Sequence, residues 1–254
     1  MRNVKIILAL TGIALMVTFL FSFWNHLKGK TSVEISVSPN PVLLKTEPHD
    51  ILSDLAIDSV LNSLAKIPFE NIESGYLEFS GYDKPFFRIA MSGRTFYKLR
   101  NQDLSKKLVG KFTIADFMPK DSRLRKIHPE IDSSTYYFGM EKYVLHRFLD
   151  LILTLKNMGY NDEALMINDG YRYPSFNEYT GGVSGSQHLF GRAIDIAVGD
   201  INNDGNYNEN FDKKIVLSLI ENDIIKNTGG VGRYPNTNVV HFDTRGKYKR
   251  WDNQ

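Results

Sequence analysis

Hydrophobic positions along this chain change period several times, and each change marks a different kind of segment. From Val4 to Trp24 the run VKIILALTGIALMVTFLFSFW is almost continuously apolar, with Lys5 its only charge. At ~1.5 Å rise per residue, about 20 such residues cross a bilayer as a helix. Residues 26–50 are polar, proline-bearing and without period, which predicts a linker. Between Asp50 and Ala65, the residues Ile51, Leu55, Ile57, Val60, Leu61 and Leu64 recur at helical spacing. Residues 75–100 read as short strands and turns. The region 51–113 is then either a membrane-proximal module or the first layer of the main domain.

From Ile114 onward the pattern is denser. Tyr143–Met158 predicts an amphipathic helix closed by Gly159, and Ala164–Asn168 a short buried strand with a turn leaving it at Asp169–Pro174. Ala193–Val198 predicts a second strand, Phe211–Asn227 a helix, and Val239–Thr244 a last strand reached through Tyr234-Pro235-Asn236. Helices flanking a small, mostly antiparallel sheet give an α+β class for residues 114–254, after an N-terminal transmembrane helix.

The charge balance of +2 gives no basic surplus of the kind that draws nucleic acid. With no cysteine, disulfides, thiolate metal sites and cysteine nucleophiles are excluded. Arg2 and Lys5 at the leading end of the apolar run favour a cytoplasmic N-terminus, a bias that Lys28 and Lys30 weaken. Phe21, Phe23 and Trp24 are too bulky for a cleavage site, so residues 1–25 read as an uncleaved single-pass anchor with the body outside the cytoplasm. A cleaved signal segment is the alternative.

The chemistry concentrates in Ser186-Gln187-His188-Leu189-Phe190-Gly191-Arg192-Ala193-Ile194-Asp195 and in Val240-His241-Phe242-Asp243. Two imidazoles and a carboxylate, His188, His241 and Asp195, form a three-ligand set that leaves zinc one open position, which a catalytic zinc needs. Asp195 sits between Ile194 and Ile196 on an apolar strand, and a bare carboxylate there would be costly to bury. Each of the three alone is more often a satisfied structural residue. Together they favour a metal.

These motifs, with Gly170-Tyr171-Arg172-Tyr173-Pro174 before them, resemble the M15 group of zinc peptidases, which includes D-Ala-D-Ala carboxypeptidases, D,D-dipeptidases and murein endopeptidases. The resemblance covers roughly Asn168–Arg245 and implies a Hedgehog/D-Ala-D-Ala peptidase-like fold. It also implies one zinc ion on His188, Asp195 and His241, with peptidoglycan peptides as substrate. Arg172 would approach the reacting centre, where its planar fork can hold a carbonyl or carboxylate; a turn residue pairing with Asp169 is the plain alternative. Ser186 would support the His188 loop or donate to substrate.

The family pattern breaks at Asn238, where many members carry a glutamate or aspartate as general base, because an amide cannot accept that proton. Asp243 is the nearest substitute. It shares a strand face with His241, about 6.6 Å along, and could serve either as the base or as the acceptor orienting His241. The expected function is a zinc peptidase on stem peptides or cross-links in the cell envelope. The alternative is an inactive wall-binding or scaffold protein keeping the fold, and more distantly a zinc peptidase of soluble peptides. Asp200, Asn202 and Asp204 open a sequence resembling the start of a calcium loop, but Phe211 stands where a closing acid belongs, so a plain polar loop competes with that reading.

Overall fold

The computed structural model describes residues 50–121, 135–206 and 210–252. The apolar run Val4–Trp24 lies outside the described residues. Among those described, no helix is long and apolar enough to cross a membrane.

The first element is α1, Asp54–Asn62, capped by the Ser53 hydroxyl, which accepts the Ala56 N–H, and burying Ile57 and Leu61. Strand β1, Ala65–Pro68, follows. The next stretch departs from expectation. Two helices, α2 (Ser74–Ser80) and α3 (Pro85–Met91), precede the strand β2 (Thr95–Arg100). Aromatic content makes this region look strand-like, but the buried positions follow a helical turn. Tyr76 and Ser80 are one turn apart, as are Phe87 and Met91, and Pro85 occupies a first-turn position that needs no N–H.

A single turn of helix, α4 (Asn101–Leu104), leads to a hairpin of β3 (Lys107–Val109) and β4 (Phe112–Thr113). Strand β5, Thr135–Phe138, completes an antiparallel three-stranded sheet with β2 at its centre. The long helix α5, Lys142–Asn157, buries seven apolar side chains and ends at Gly159 as its sequence requires.

A five-stranded sheet holds the site. Its strands are β6 (Leu165–Asp169), β7 (Ala193–Val198), β8 (Gly230–Gly232), β9 (Val239–Asp243) and β10 (Lys249–Trp251), in the order β10-β8-β9-β7-β6. All pairs are antiparallel except β10 with β8. Helix α6 (Pro174–Tyr179) follows the turn expected at Asp169–Pro174, and α7 (Asn210–Leu219) continues into a wider π-helical turn at Ile220–Ile224.

The described residues share one hydrophobic core, in which Leu61, Phe69, Tyr82 and Phe96 from before residue 113 join Phe138, Phe148, Tyr171 and Phe242 from after it. The Tyr82 and Tyr171 hydroxyls meet at 2.8 Å inside it. The class is α+β, with mixed helices around small sheets that are antiparallel but for one edge pair.

Candidate metal centre

Asp195 and His241 are direct cross-strand partners on β7 and β9, two neighbouring interior strands of the sheet. Directly opposed residues in an antiparallel pair lie ~5 Å apart, so register alone brings this carboxylate and imidazole together. His188 arrives from the 3₁₀ turn Gln187–Phe190, which closes at Gly191 with φ +64°. A Cβ at Gly191 would fall 1.9 Å from the Gly139 carbonyl oxygen, so only glycine lets this turn press against the start of α5.

The three side chains converge. His241 Nδ1 lies 2.7 Å from Asp195 Oδ1, and His188 Nε2 lies 3.3 Å from Asp195 Oδ2 and 3.2 Å from His241 Nδ1. All three are buried, and one donor atom from each lies within 4.8 Å of the others. Among the described residues this is the one such group of histidine and acidic residues. Two imidazole nitrogens and a carboxylate at this range repel unless a proton or cation lies among them. The donor set, nitrogen and oxygen without sulfur, fits a zinc ion.

The second nitrogen of each imidazole fixes the first. His188 Nδ1 is 2.5 Å from the Gly170 carbonyl, so it carries the proton and Nε2 faces the centre. His241 is turned the other way round. Its Nε2 lies 3.1 Å from Asp243 Oδ2, leaving Nδ1 to face Asp195.

Asp243 is fully buried and its oxygens are already engaged. Oδ1 accepts from the backbone N–H groups of Gly230 and Arg245 at 3.1 Å each and from Arg245 Nε at 2.7 Å. Oδ2 accepts from Arg245 Nη2 at 2.5 Å. The structure therefore sets Asp243 on the outer nitrogen of His241. Burial would raise its pKa, but His241 and Arg245 outweigh this and hold it well below the carboxylate range. Asp195 shows the same balance, with burial opposed and overcome by the two imidazoles. Burial would lower the pKa of His241, yet the Asp195 and Asp243 carboxylates raise it.

Arg172 reaches the group from the turn after β6. Its Nε donates to Asp169 Oδ2 at 2.7 Å and its Nη2 to Asp195 Oδ2 at 3.3 Å, so the pairing with Asp169 and the approach to the centre both occur. Burial pushes Asp169 up, against the pull of Arg172. The Arg172 N–H also donates to the His188 carbonyl at 3.1 Å, tying the two loops together. Asn238 lies apart, its amide donating to the Val198 carbonyl at 3.3 Å.

A cavity of about 560 Å³ opens over the three residues, and Ser186 lines its rim. Tyr234, Arg245, Lys249 and Trp251 line it too, although no motif marks them in the sequence. Tyr234 takes φ +39°, a strained backbone for a bulky residue, and Lys213 clamps the turn by donating to the Tyr234 and Thr237 carbonyls at 2.7 Å each. Burial, then Asp195, pushes the Tyr234 phenol up to about 12, so at neutral pH it is a hydrogen-bond donor and not a base. Trp251 stands with its ring centre 5.0 Å from that of His241, and the absent side chain of Gly232 makes room for it.

The loop after β7 does not bear out a calcium site. Asp200 accepts the N–H groups of Asp204 and Gly205, Asn202 accepts Asp204 N–H, and Asp204 accepts Asn206 N–H. The oxygens that would face an ion close the loop on its own backbone, and nothing else supports calcium there.

A buried group of two histidines and one carboxylate beneath an open cavity, on the strands of an α+β sheet, is a donor arrangement that could hold a metal ion with a position open to the cavity. Residues 140–243 match the family described as Peptidase M15, so this part of the chain is similar to M15 peptidases. Across 168 residues the chain is 23% identical to the probable peptidoglycan L,D-endopeptidase MepK of Haemophilus influenzae, covering 60% of this chain and 76% of that protein. No solved structure gives a significant match.

Proposed function

We propose that this protein is a zinc-dependent peptidase that hydrolyses amide bonds in peptidoglycan stem peptides or cross-links. The observation carrying this reading is the convergence of His188 Nε2, His241 Nδ1 and Asp195 beneath the cavity. The MepK likeness supports the substrate, and the apolar run Val4–Trp24 supports an anchor that holds the domain beside the wall.

Zinc bound here supplies Lewis-acid activation of a substrate carbonyl and of a water. The chain's own residues prepare the rest. The Gly170 carbonyl and Asp243 hold the two imidazoles in opposite tautomers, each offering a lone pair inward. Arg172 braces Asp195 and brings positive charge to the cavity, where charge develops on a carbonyl oxygen. Tyr234 offers a neutral O–H to the same space.

Mass analysis of murein digested by the zinc-loaded full chain tests this. Fragments should appear with the wild type, and vanish with chelator or with His188→Ala. Undiminished cleavage by a metal-free preparation would overturn it.

A second reading, a wall-binding protein that keeps the peptidase fold, is favoured by one observation. Among the described residues lining the cavity, Asp195 is the only carboxylate, and it is engaged by His188, His241 and Arg172. A zinc-loaded chain that binds murein and releases no fragment at high protein concentration decides for it.

A further inference from the structure

Strand β10 alternates in a way that divides its three side chains between two tasks. Lys249 and Trp251 both line the cavity, as residues two apart on one strand face do. Arg250, between them, turns to the other side, where it bonds the Gly229 and Lys226 carbonyls and pairs with Glu221 at 3.3 Å. The parallel pairing of β10 with β8 sets this face, with Lys249 opposite Gly230 and Trp251 opposite Gly232.

Three cations line the cavity, but they are not equivalent. Arg172 spends its fork on Asp169 and Asp195, and Arg245 grips Asp243 through both Nε and Nη2. The acids on the neighbouring strand and helix are engaged as well: Glu221 by Arg233 and Arg250, and Asp252 by Arg233. Lys249 has no carboxylate within ion-pair range among the described residues. Its ammonium lies 5.9 Å from the centre of the Trp251 ring, an apolar wall that holds a flexible stem in place.

From these observations we infer that Lys249 binds a free carboxylate of the substrate. The lysine thereby restricts the site to peptides carrying one within a short reach of the bond at the metal centre. This rests on the proposed peptidase reading for the position of that bond. The reach follows from their shared neighbour Trp251. The His241 ring centre lies 5.0 Å from that of Trp251, so the lysine ammonium and the imidazole are separated by no more than about three extended residues. Stem peptides offer such carboxylates at the α-carbon of a γ-linked glutamyl residue and at the C-terminus, and a stem with lysine at its third position offers these two alone. Both present the same chemistry to an ammonium.

The test uses the zinc-loaded full chain and synthetic stem tetrapeptides in three forms: both carboxylates free, the glutamyl one amidated, and the C-terminal one amidated. Equilibrium binding and product release are both measured. One amidated form should bind about tenfold more weakly than the free acid, as loss of a charge-assisted hydrogen bond predicts, and that form identifies the carboxylate read. Lys249→Gln should abolish the difference and Lys249→Arg should restore it. The preference should also shrink with added salt, because the ammonium is exposed. Equal binding of all three forms, or a preference that survives in Lys249→Gln, overturns the inference while leaving hydrolysis intact. Discrimination through Lys249 without hydrolysis upholds it and overturns the peptidase reading instead.

Discussion

Replacing Asp243 with asparagine separates its two imaginable roles, because the carboxylate touches the outer nitrogen of His241 and not the inner one. Asparagine keeps the volume but loses the charge. It leaves the half-buried Arg245, paired through Nε at 2.7 Å and Nη2 at 2.5 Å, facing an uncharged amide at a fully buried position. Breaking such a pair from one side costs about 3–5 kcal/mol. The imidazole also loses the acceptor that selects its tautomer, and loss of such an outer partner typically costs 10–100-fold in metal affinity. Urea unfolding of the chelator-treated variant should therefore show a loss of about 3 kcal/mol, and competition against a zinc chelator should show affinity down at least tenfold. Turnover measured at saturating zinc completes the set. If stability and zinc affinity both stay near wild type while turnover collapses, the carboxylate acts on the reacting atoms and the orienting argument is wrong.

Gly191→Ala sets a methyl against the Gly139 carbonyl at a left-handed φ, so it should cost more than ~2 kcal/mol and weaken zinc binding by shifting the His188 turn. Thermal unfolding with and without zinc measures both. Asp103 is buried; its desolvation is outweighed by hydrogen bonds from Lys106 and the Arg100 N–H, so its folded pKa is lowered. Its contribution to stability is therefore present above the unfolded value near ~3.9 and fades as pH falls through the folded one. Asp103→Asn should be less stable than wild type at pH 6, and the gap between their urea midpoints should close on titration toward pH 3.

What could be seen in the sequence depended on whether the information was local. His188 and Asp195 sit seven positions apart around a glycine turn, and the turn itself brings them together. Helix α5 was visible because its buried residues follow one period for four turns. The helices α2 and α3 were not, because each is only seven residues long and aromatic-rich, and burial rather than propensity decides their backbone. Asp243 shows a finer limit. Strand alternation places it on the face of His241, but which imidazole nitrogen it meets depends on the rotamers and on Arg245, which no spacing encodes. The wall of Lys249 and Trp251 arises from an edge strand that joins parallel to a three-residue, glycine-flanked partner, a pairing without local signature.

Because Asp195 and His241 face each other across adjacent interior strands, two of the three donors cannot part without tearing the sheet. Only His188, carried by a short turn, can swing away while the rest stays folded. Loading and release of the ion should therefore proceed through that turn, so exchange of metal can be quick even where global unfolding is slow. Amide protons of β7 and β9 should stay protected from deuterium in the apo protein, with the lost protection confined to residues around 186–191.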